Sequence, residues 1–308
     1  MTKYIVSGYI GFDNFGDEAI QNVLVKKLKS EGAGKITLIS SNPEKTKKIH
    51  EVDSCGMLKF LPALAKSDVL ISGGGSLLQD VTSLKSLIYY LGVIYLALIL
   101  GKKVEIFAQG IGPIKSAIGR FLTQIALKHA DKISVRDSAS QELLKNWGIE
   151  AELVPDPIFG LDIEKLDYAD GVGIQLRSFE GINEIFLNKL ADEIEKNFKD
   201  KRIVILSLQD SLDFEVCTRF SEILKSKNIN SSVLSSLNIN EVINQISKLE
   251  YLISMRFHAN VIGIKAGVKT LAINYDPKVE KLAKEYNLPC INLNHEDFSK
   301  EFENLKNR

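Results

Sequence analysis

Short apolar runs alternate with amphipathic stretches from one end of the 308-residue chain to the other. In the first half the runs YIVSGY (4–9), KITLIS (35–40), DVLISG (68–73), KVEIFAQ (103–109), KISVR (132–136) and AELVP (151–155) read as strands. Between them, helical periodicity predicts helices near 16–31, 57–66, 84–101, 115–130 and 137–147. In the first of these, Ile20, Val23, Leu24 and Leu28 fall on one face at 3.6-residue spacing, with Lys26, Lys27 and Lys29 elsewhere. The second half repeats the rhythm. GVGIQLR (171–177), RIVILSL (202–208), SSVLS (231–235), YLISM (251–255), TLAINY (270–275) and CINL (290–293) read as strands, with helices near 183–199, 212–227, 239–249, 257–267 and 278–287. β-rich runs separated by helical patterns imply parallel sheets covered by helices on both faces.

The segment LVPDPIFGLDIEKLDYADG holds two prolines, two glycines and a cluster of charges, and reads as a linker near 155–170. It divides the chain into an N-terminal domain, 1–160, and a C-terminal domain, 161–308. The expected fold class is therefore α/β, with two doubly wound Rossmann-like domains facing across a cleft. Ligands of such sheets bind beyond the carboxyl ends of the strands, so the loops there are the place to look for chemistry.

Composition narrows the class. Hydrophobic residues make up 45% and charged residues 25%, with Lys+Arg and Asp+Glu equal at 39 each. This is the balance of a globular protein with a sizeable core, and zero formal charge argues against nucleic acid as a partner. Cys55, Cys217 and Cys290 lie far apart with no C-x-x-C pair, which fits a reducing compartment and offers no metal site. The start MTKYIVSGYI enters a strand directly, without a signal-peptide pattern, so a cytoplasmic location is expected. One segment, SLIYYLGVIYLALILG (86–101), runs 16 residues without a charge. A spanning helix needs about 20 apolar residues, so the segment reads as a helix buried against a sheet, with peripheral membrane contact as the alternative.

Three strand-end loops in the first half are rich in glycine. VSGYIGFDNFGDEAI carries Gly8, Gly11 and Gly16, a spacing that does not match the dinucleotide fingerprint G-x-G-x-x-G. It also carries Asp13, Asp17 and Glu18. Carboxylates at a helix start favour the positive end of its dipole, which is one reading of Asp17 and Glu18. The functional reading is that Asp13, Asn14 and Asp17 accept hydrogen bonds from sugar hydroxyls. ISGGGSLLQD (71–80) places Gly73, Gly74 and Gly75 after the next strand, with Asp80 closing the loop, and lets a ligand approach the backbone closely. AQGIGPI (108–114) adds Gly110, Gly112 and Pro113.

The second half supplies cations. Arg177 follows its first strand; Arg256 and His258 follow a later one and open a helix, whose N-terminal N–H groups also favour anions. Histidine is the side-chain type that changes charge near neutrality, which makes His258 the candidate proton donor. SVRD adds Arg136 beside Asp137, a pairing that also reads as an ion pair at a helix start. His50, His129 and His295 sit in polar, structural contexts.

In this order, GYIGFDNFGDEAI, ISGGGSLLQD, AQGIGPI, SVRD, PDP and MRFHANVIGIKAG resemble the polysaccharide pyruvyl transferase family, in particular its bacterial cell-wall members. The resemblance runs from residue 8 to about 275. It implies a fold like the glycosyltransferase-B type and transfer of pyruvate from phosphoenolpyruvate, as co-substrate, to a sugar as a cyclic ketal across O4 and O6. In the cell-wall subgroup the acceptor is an N-acetylmannosamine unit on a lipid-linked precursor. The implied roles are His258 as general acid, Arg177 and Arg256 (with Arg136 a further candidate) on the anionic donor, and Asp13, Asn14 and Asp17 on the acceptor, one of these acids, with Asp17 first, serving as base. Gly73, Gly74, Gly75 and Asp80 line the acceptor side. No cofactor and no metal enter this scheme. Two other readings compete: a nucleotide-sugar glycosyltransferase of the same build, and a non-catalytic saccharide-binding subunit of a wall-synthesis complex. The oligomeric state is left open.

Overall fold

A run such as IVIL (203–206) has no polar face, so it is stable only where both faces are covered. The computed structural model, which describes residues 1–81, 83–166 and 170–308, shows how the chain covers them. It divides into two units, Met1–Leu161 and Asp162–Arg308. Residues 167–169 of the expected linker lie outside the described part.

The first unit is a seven-stranded, all-parallel sheet of β1 (Lys3–Ser7), β2 (Lys35–Ile39), β3 (Asp53–Cys55), β4 (Val69–Gly73), β5 (Lys103–Gln109), β6 (Lys132–Val135) and β7 (Glu152–Leu153). Its order is β3-β2-β1-β4-β5-β6-β7. Among the described residues the strands are connected by α1 (Phe15–Ser30), α2 (Pro43–His50), α3 (Phe60–Ala65), α4 (Leu84–Ile99), α5 (Ala117–Lys128) and α6 (Ser138–Asn146). Neighbouring residues of one strand point to opposite faces, and the core is split accordingly. Ile5 and Leu70 join Val104, Ile106 and Ile133 under Phe60 and Leu64 of α3, Leu87 to Ala97 of α4 and Leu127 of α5. Val6 and Ile71 join Leu38 on the other side, under Leu24, Val25 and Leu28 of α1.

The second unit repeats the plan with six parallel strands: β8 (Val172–Gln175), β9 (Ile203–Leu206), β10 (Ser231–Leu234), β11 (Tyr251–Ser254), β12 (Lys269–Asn274) and β13 (Cys290–Asn292). The order is β10-β9-β8-β11-β12-β13. Its helices are α7 (Glu184–Phe198), α8 (Asp210–Ser226), α9 (Ile239–Ser247), α10 (Phe257–Lys265), α11 (Pro277–Glu285) and α12 (Ser299–Lys306). The main core joins Ile174, Ile205 and Ile253 to Phe186, Leu190, Phe220 and Phe302.

The fold class is thus two doubly wound parallel α/β units. In each sheet the winding reverses once, between β1 and β4 and between β8 and β11, and such switch points open a crevice at the carboxyl ends of the two strands. Three elements escape the periodicity: α2, β3 and α12. In α2, PEKTKKIH has no apolar stripe; the helix is fixed by the Asn42 side chain accepting from Lys45 N–H and by Pro43 in its first turn. The helix expected at 57–66 is a 3-10 turn (Met57–Lys59) followed by α3, and the strand expected at 151–155 stops at Leu153, ahead of Pro155 and Pro157. The 86–101 segment forms most of α4, buried on one side only: Leu87, Tyr90, Leu91 and Ile94 face the core, whereas Leu84, Lys85, Ile88 and Ile99 are exposed. Among the described residues no helix is long and apolar enough to cross a membrane.

Candidate functional site

In the first unit the loops after β1, β4 and β5 meet. Gly75 takes φ +65°, a backbone conformation that costs any residue with a Cβ, and a Cβ there would lie 2.7 Å from Asp17 Oδ1. The triple-glycine loop therefore lies directly on the Asp17 carboxylate. A Cβ on Gly110 would come within 2.5 Å of Ser76 Oγ, so the third loop closes on the second. Gln21 of α1 donates to Gly73 O (3.0 Å), fixing the end of β4 against α1.

The other acids of the opening turn hold the loop itself. Glu18, 6% exposed, accepts from Gly11 N–H (2.7 Å) and pairs with the buried His50 (2.7 Å). Asn14 caps α1 by accepting from Gly16 N–H (3.0 Å). Asp13, exposed, pairs with Lys45 (2.6 Å). Asp80 accepts from Lys115 N–H (2.8 Å) and Ser116 N–H (2.7 Å), and these bonds hold its carboxyl below the usual range. Of the residues expected on the acceptor, the structure brings Asp17, Gly74 and Gly75 together; Asp13, Asn14 and Asp80 have other partners. Tyr9, which sequence reasoning passed over, belongs with Asp17: burial and then the Asp17 charge raise its phenol, and its ring stacks on Phe12 at 4.2 Å. Tyr90 is raised by burial, then by Tyr89, Asp17 and Tyr9.

Arg136 is held within the first unit. Its Nη1 donates to Asp156 (2.7 Å) and its Nη2 to Ser76 (3.2 Å), both ends of the ion pair being nearly buried. Asp137, its expected partner, instead caps α6 by accepting from Ser140 N–H (2.8 Å).

In the second unit, β8 and β11 are in register, Gln175 opposite Ser254, so Arg177 and the Arg256–His258 turn leave the sheet at the same switch point. The backbone N–H of Arg177 points to Met255 Sδ (3.2 Å). Its guanidinium lies 5.6 Å from the centre of the Tyr275 ring, and its buried Nε has no hydrogen-bond partner. Arg256 differs. It is 8% exposed; Nε donates to Asp213 Oδ2 (2.7 Å), while Nη2 donates to Asp213 Oδ1 (2.6 Å) and Gln209 Oε1 (3.1 Å). Asp213 is fully buried and also accepts from the backbone N–H groups of Leu208 and Gln209 and from Gln175. Gln175 Oε1 in turn accepts from Arg256 N–H (2.8 Å). The cation expected on the donor is therefore bound inward, and a fork-to-carboxylate pair fixes the residue that starts α10. No side chain caps that helix, so the N–H groups of its first turn are not taken up by a cap, and His258 is its second residue. Beneath lies Cys217, fully buried, its thiol pushed up to about 12 chiefly by burial.

Asp213 and Gln209 gave a faint sequence signal. LQDSLD follows a strand and starts a helix, and its acids read as ordinary helix-dipole partners. Among the described residues no group of three or more His, Cys, Asp or Glu side chains is placed to hold a metal ion.

Comparison with known proteins places this geometry. The sequence model of the polysaccharide pyruvyl transferase family matches residues 14–277, from the cap of α1 through the start of α11. The chain belongs to the polysaccharide pyruvyl transferase family. The match takes in the triple-glycine loop, Arg136, Arg177 and the Arg256–His258 turn of this family member. No curated protein matches the chain. Among solved structures it is similar to Staphylococcus aureus MnaA with UDP (TM-score 0.65, 11% identity, covering 99% of this chain and 87% of that one). It is also similar to the UDP-GlcNAc 2-epimerase of Neisseria meningitidis bound to UDP-GlcNAc (0.61, 11%, 99% and 90%) and to Anabaena Alr3699/HepE with UDP-glucose (0.63, 9%, 100% and 89%). At these identities the likeness establishes the fold, which is of the glycosyltransferase-B type.

Proposed function

We infer that this family member transfers pyruvate from phosphoenolpyruvate to a sugar, forming a 4,6-ketal and releasing phosphate. The observation that carries the reading is Arg177: a switch-point guanidinium with a buried, unpartnered Nε, just past the end of the strand beside the one that leads into α10. Phosphoenolpyruvate offers a carboxylate and a phosphate. Arg177 suits one of them, and the first turn of α10 suits the other through its N–H groups and dipole. His258 donates a proton to the methylene carbon, which makes the adjacent carbon electrophilic. One sugar hydroxyl attacks that carbon, phosphate departs, and the neighbouring hydroxyl closes the ketal. Arg256 acts as a positioning residue through Asp213. In the first unit, Asp17 is the carboxylate for orienting or deprotonating a hydroxyl, with Tyr9 beside it. The acceptor we favour is an N-acetylmannosamine unit on a lipid carrier, as the resemblance to cell-wall members implies.

The test is incubation with phosphoenolpyruvate and a synthetic lipid-linked disaccharide, following phosphate release and the mass of the product. His258→Ala should slow turnover by about 10²–10⁴-fold, the usual worth of a general acid. Arg177→Ala should mainly raise the KM for phosphoenolpyruvate. Near-normal phosphate release by the His258 variant would remove that residue from the mechanism. The UDP-sugar complexes of the similar structures favour a second reading, a sugar-nucleotide donor, and labelled UDP-sugars in the same assay separate the two.

A further inference from the structure

Among the described residues seventeen large hydrophobic side chains are exposed, and ten of them lie between Met57 and Phe121. That stretch contains α3, α4 and α5, which lie on the same face of the first sheet. The helices are neighbours: Tyr95 of α4 donates to Leu122 O of α5 (2.7 Å), and Tyr89 of α4 reaches Met57 Sδ, in the turn that leads into α3 (3.1 Å). Their outer surface shows Leu58 (100% exposed), Ile118 (73%), Phe121 (62%) and Ile88 (56%).

Charge sets this surface apart. The sequences MLKFLPALA, LKSLIYYLGVIYLALI and AIGRFLTQIALK contain no Asp or Glu, in a chain where acids and bases are equal in number. They carry Lys59, Lys85, Arg120 and Lys128, all exposed, and Lys66 and Lys115 are exposed at their margins. By contrast α7 alone holds Glu184, Asp192, Glu193 and Glu195. An apolar surface of this kind marks an interaction site, and helices that carry bases and no acids, with Asp68 and Asp80 only at their margins, select an anionic partner. A second copy of the chain fits poorly, because a two-fold contact sets the same basic residues against each other.

We propose that the outer face of α3, α4 and α5 docks on an anionic lipid bilayer. Leu58, Ile88, Ile118 and Phe121 enter the headgroup boundary while Lys59, Lys85, Arg120 and Lys128 meet lipid phosphates, the arrangement of an interfacial rather than a spanning element. α4 and α5 begin where the glycine-rich loops after β4 and β5 end, so Val81, Leu84 and Ile118 lie at the margin of those loops. Resting on the pyruvyl-transfer reading, this delivers a lipid-borne acceptor to the Asp17 side of the first unit. The docking itself does not depend on that reading.

The test is flotation of the full chain with vesicles of phosphatidylcholine alone or with about a third phosphatidylglycerol. Binding is expected to the anionic vesicles only and to fall steeply with salt. The double variant Ile88→Asp/Phe121→Asp should weaken it at least about tenfold, and Lys85→Glu or Arg120→Glu at least about fivefold each. All four positions are exposed, so the circular dichroism spectrum and turnover of a soluble acceptor analogue should be unchanged. Absence of flotation at low salt overturns the proposal, as does a dimer in light scattering that Phe121→Asp splits without any change in lipid binding. Loss of pyruvyl transfer with flotation intact would count against the proposed reaction alone.

Discussion

The two switch points carry charge in opposite ways. In the first unit the polar side chains of the loops are divided among many partners: Glu18 on Gly11 N–H and His50, Asn14 and Asp137 on helix starts, Asp80 on two successive N–H groups, Asp156 on Arg136. Glycine supplies the shape, and one acid, Asp17, lies against the glycine loop. In the second unit the charge is concentrated in one buried pair, Arg256–Asp213, from which backbone and side chains of three segments hang. A turn made of many small clamps tolerates loss of any one of them. A turn hung on one buried ion pair does not, because removing either partner strands a charge away from water.

That contrast can be broken most easily at Asp213. Asp213→Ala should destabilise the protein by about 3–5 kcal/mol in urea unfolding followed by far-ultraviolet circular dichroism. A cost below about 1 kcal/mol would mean the pair is not what holds α10. Arg256→Ala should fall with it, whereas Arg177→Ala, at the neighbouring strand, should leave the unfolding midpoint unchanged while affecting donor binding. In the first unit each clamp should cost less. Glu18→Ala removes hydrogen bonds to a charged group, worth about 1.5–3 kcal/mol. Gly75→Ala should cost about 1–2 kcal/mol from its positive φ, and its added methyl should displace Asp17, read out as a raised acceptor KM.

The smallest effect is tied to pH. The Asp80 carboxyl is held below its ordinary range by the N–H groups of Lys115 and Ser116. A depressed carboxyl contributes its stability above its unfolded value of about 3.9 and loses it as pH falls through the folded value. The wild-type protein should therefore be more stable than Asp80→Asn at neutral pH. The gap should begin to narrow at about pH 4 and shrink further as the pH falls through the folded value; a gap that does not narrow on acidification would assign the clamp to shape rather than charge.

Much of this architecture was legible in the sequence. The strand boundaries fall close to the apolar runs; β5 is found at Lys103–Gln109, where KVEIFAQ places it. The elements that escaped are those set by something other than periodicity: a cap and a proline for α2, and edge pairing of only three residues, Asp53 to Cys55, for β3. α12 has only Phe302 and Leu305 buried, too little for a stripe. The site was legible as a set of loops but not as a division of labour. Spacing placed Arg177, Arg256 and His258 at one sheet end, yet nothing in it says that Arg256 is met by an aspartate 43 positions away. Nor does it say that Asp80, at the end of a glycine run, bonds backbone rather than ligand. Long-range partners are chosen by the fold, and a single sequence records only one half of each.

Cys217 gives the second unit a built-in clock. Its thiol is fully buried under the Asp213 pair and, with its titration pushed up to about 12, is almost entirely protonated and unreactive while the structure is closed. Modification at that position by a thiol reagent therefore has to wait for an opening of the structure around it. The rate of labelling at residue 217, separated by peptide mapping from that at Cys55 and Cys290, counts how often α8 comes loose from the carbonyls of Leu176 and Leu206 that the thiol faces. Donor binding, if it braces that helix, should slow the count.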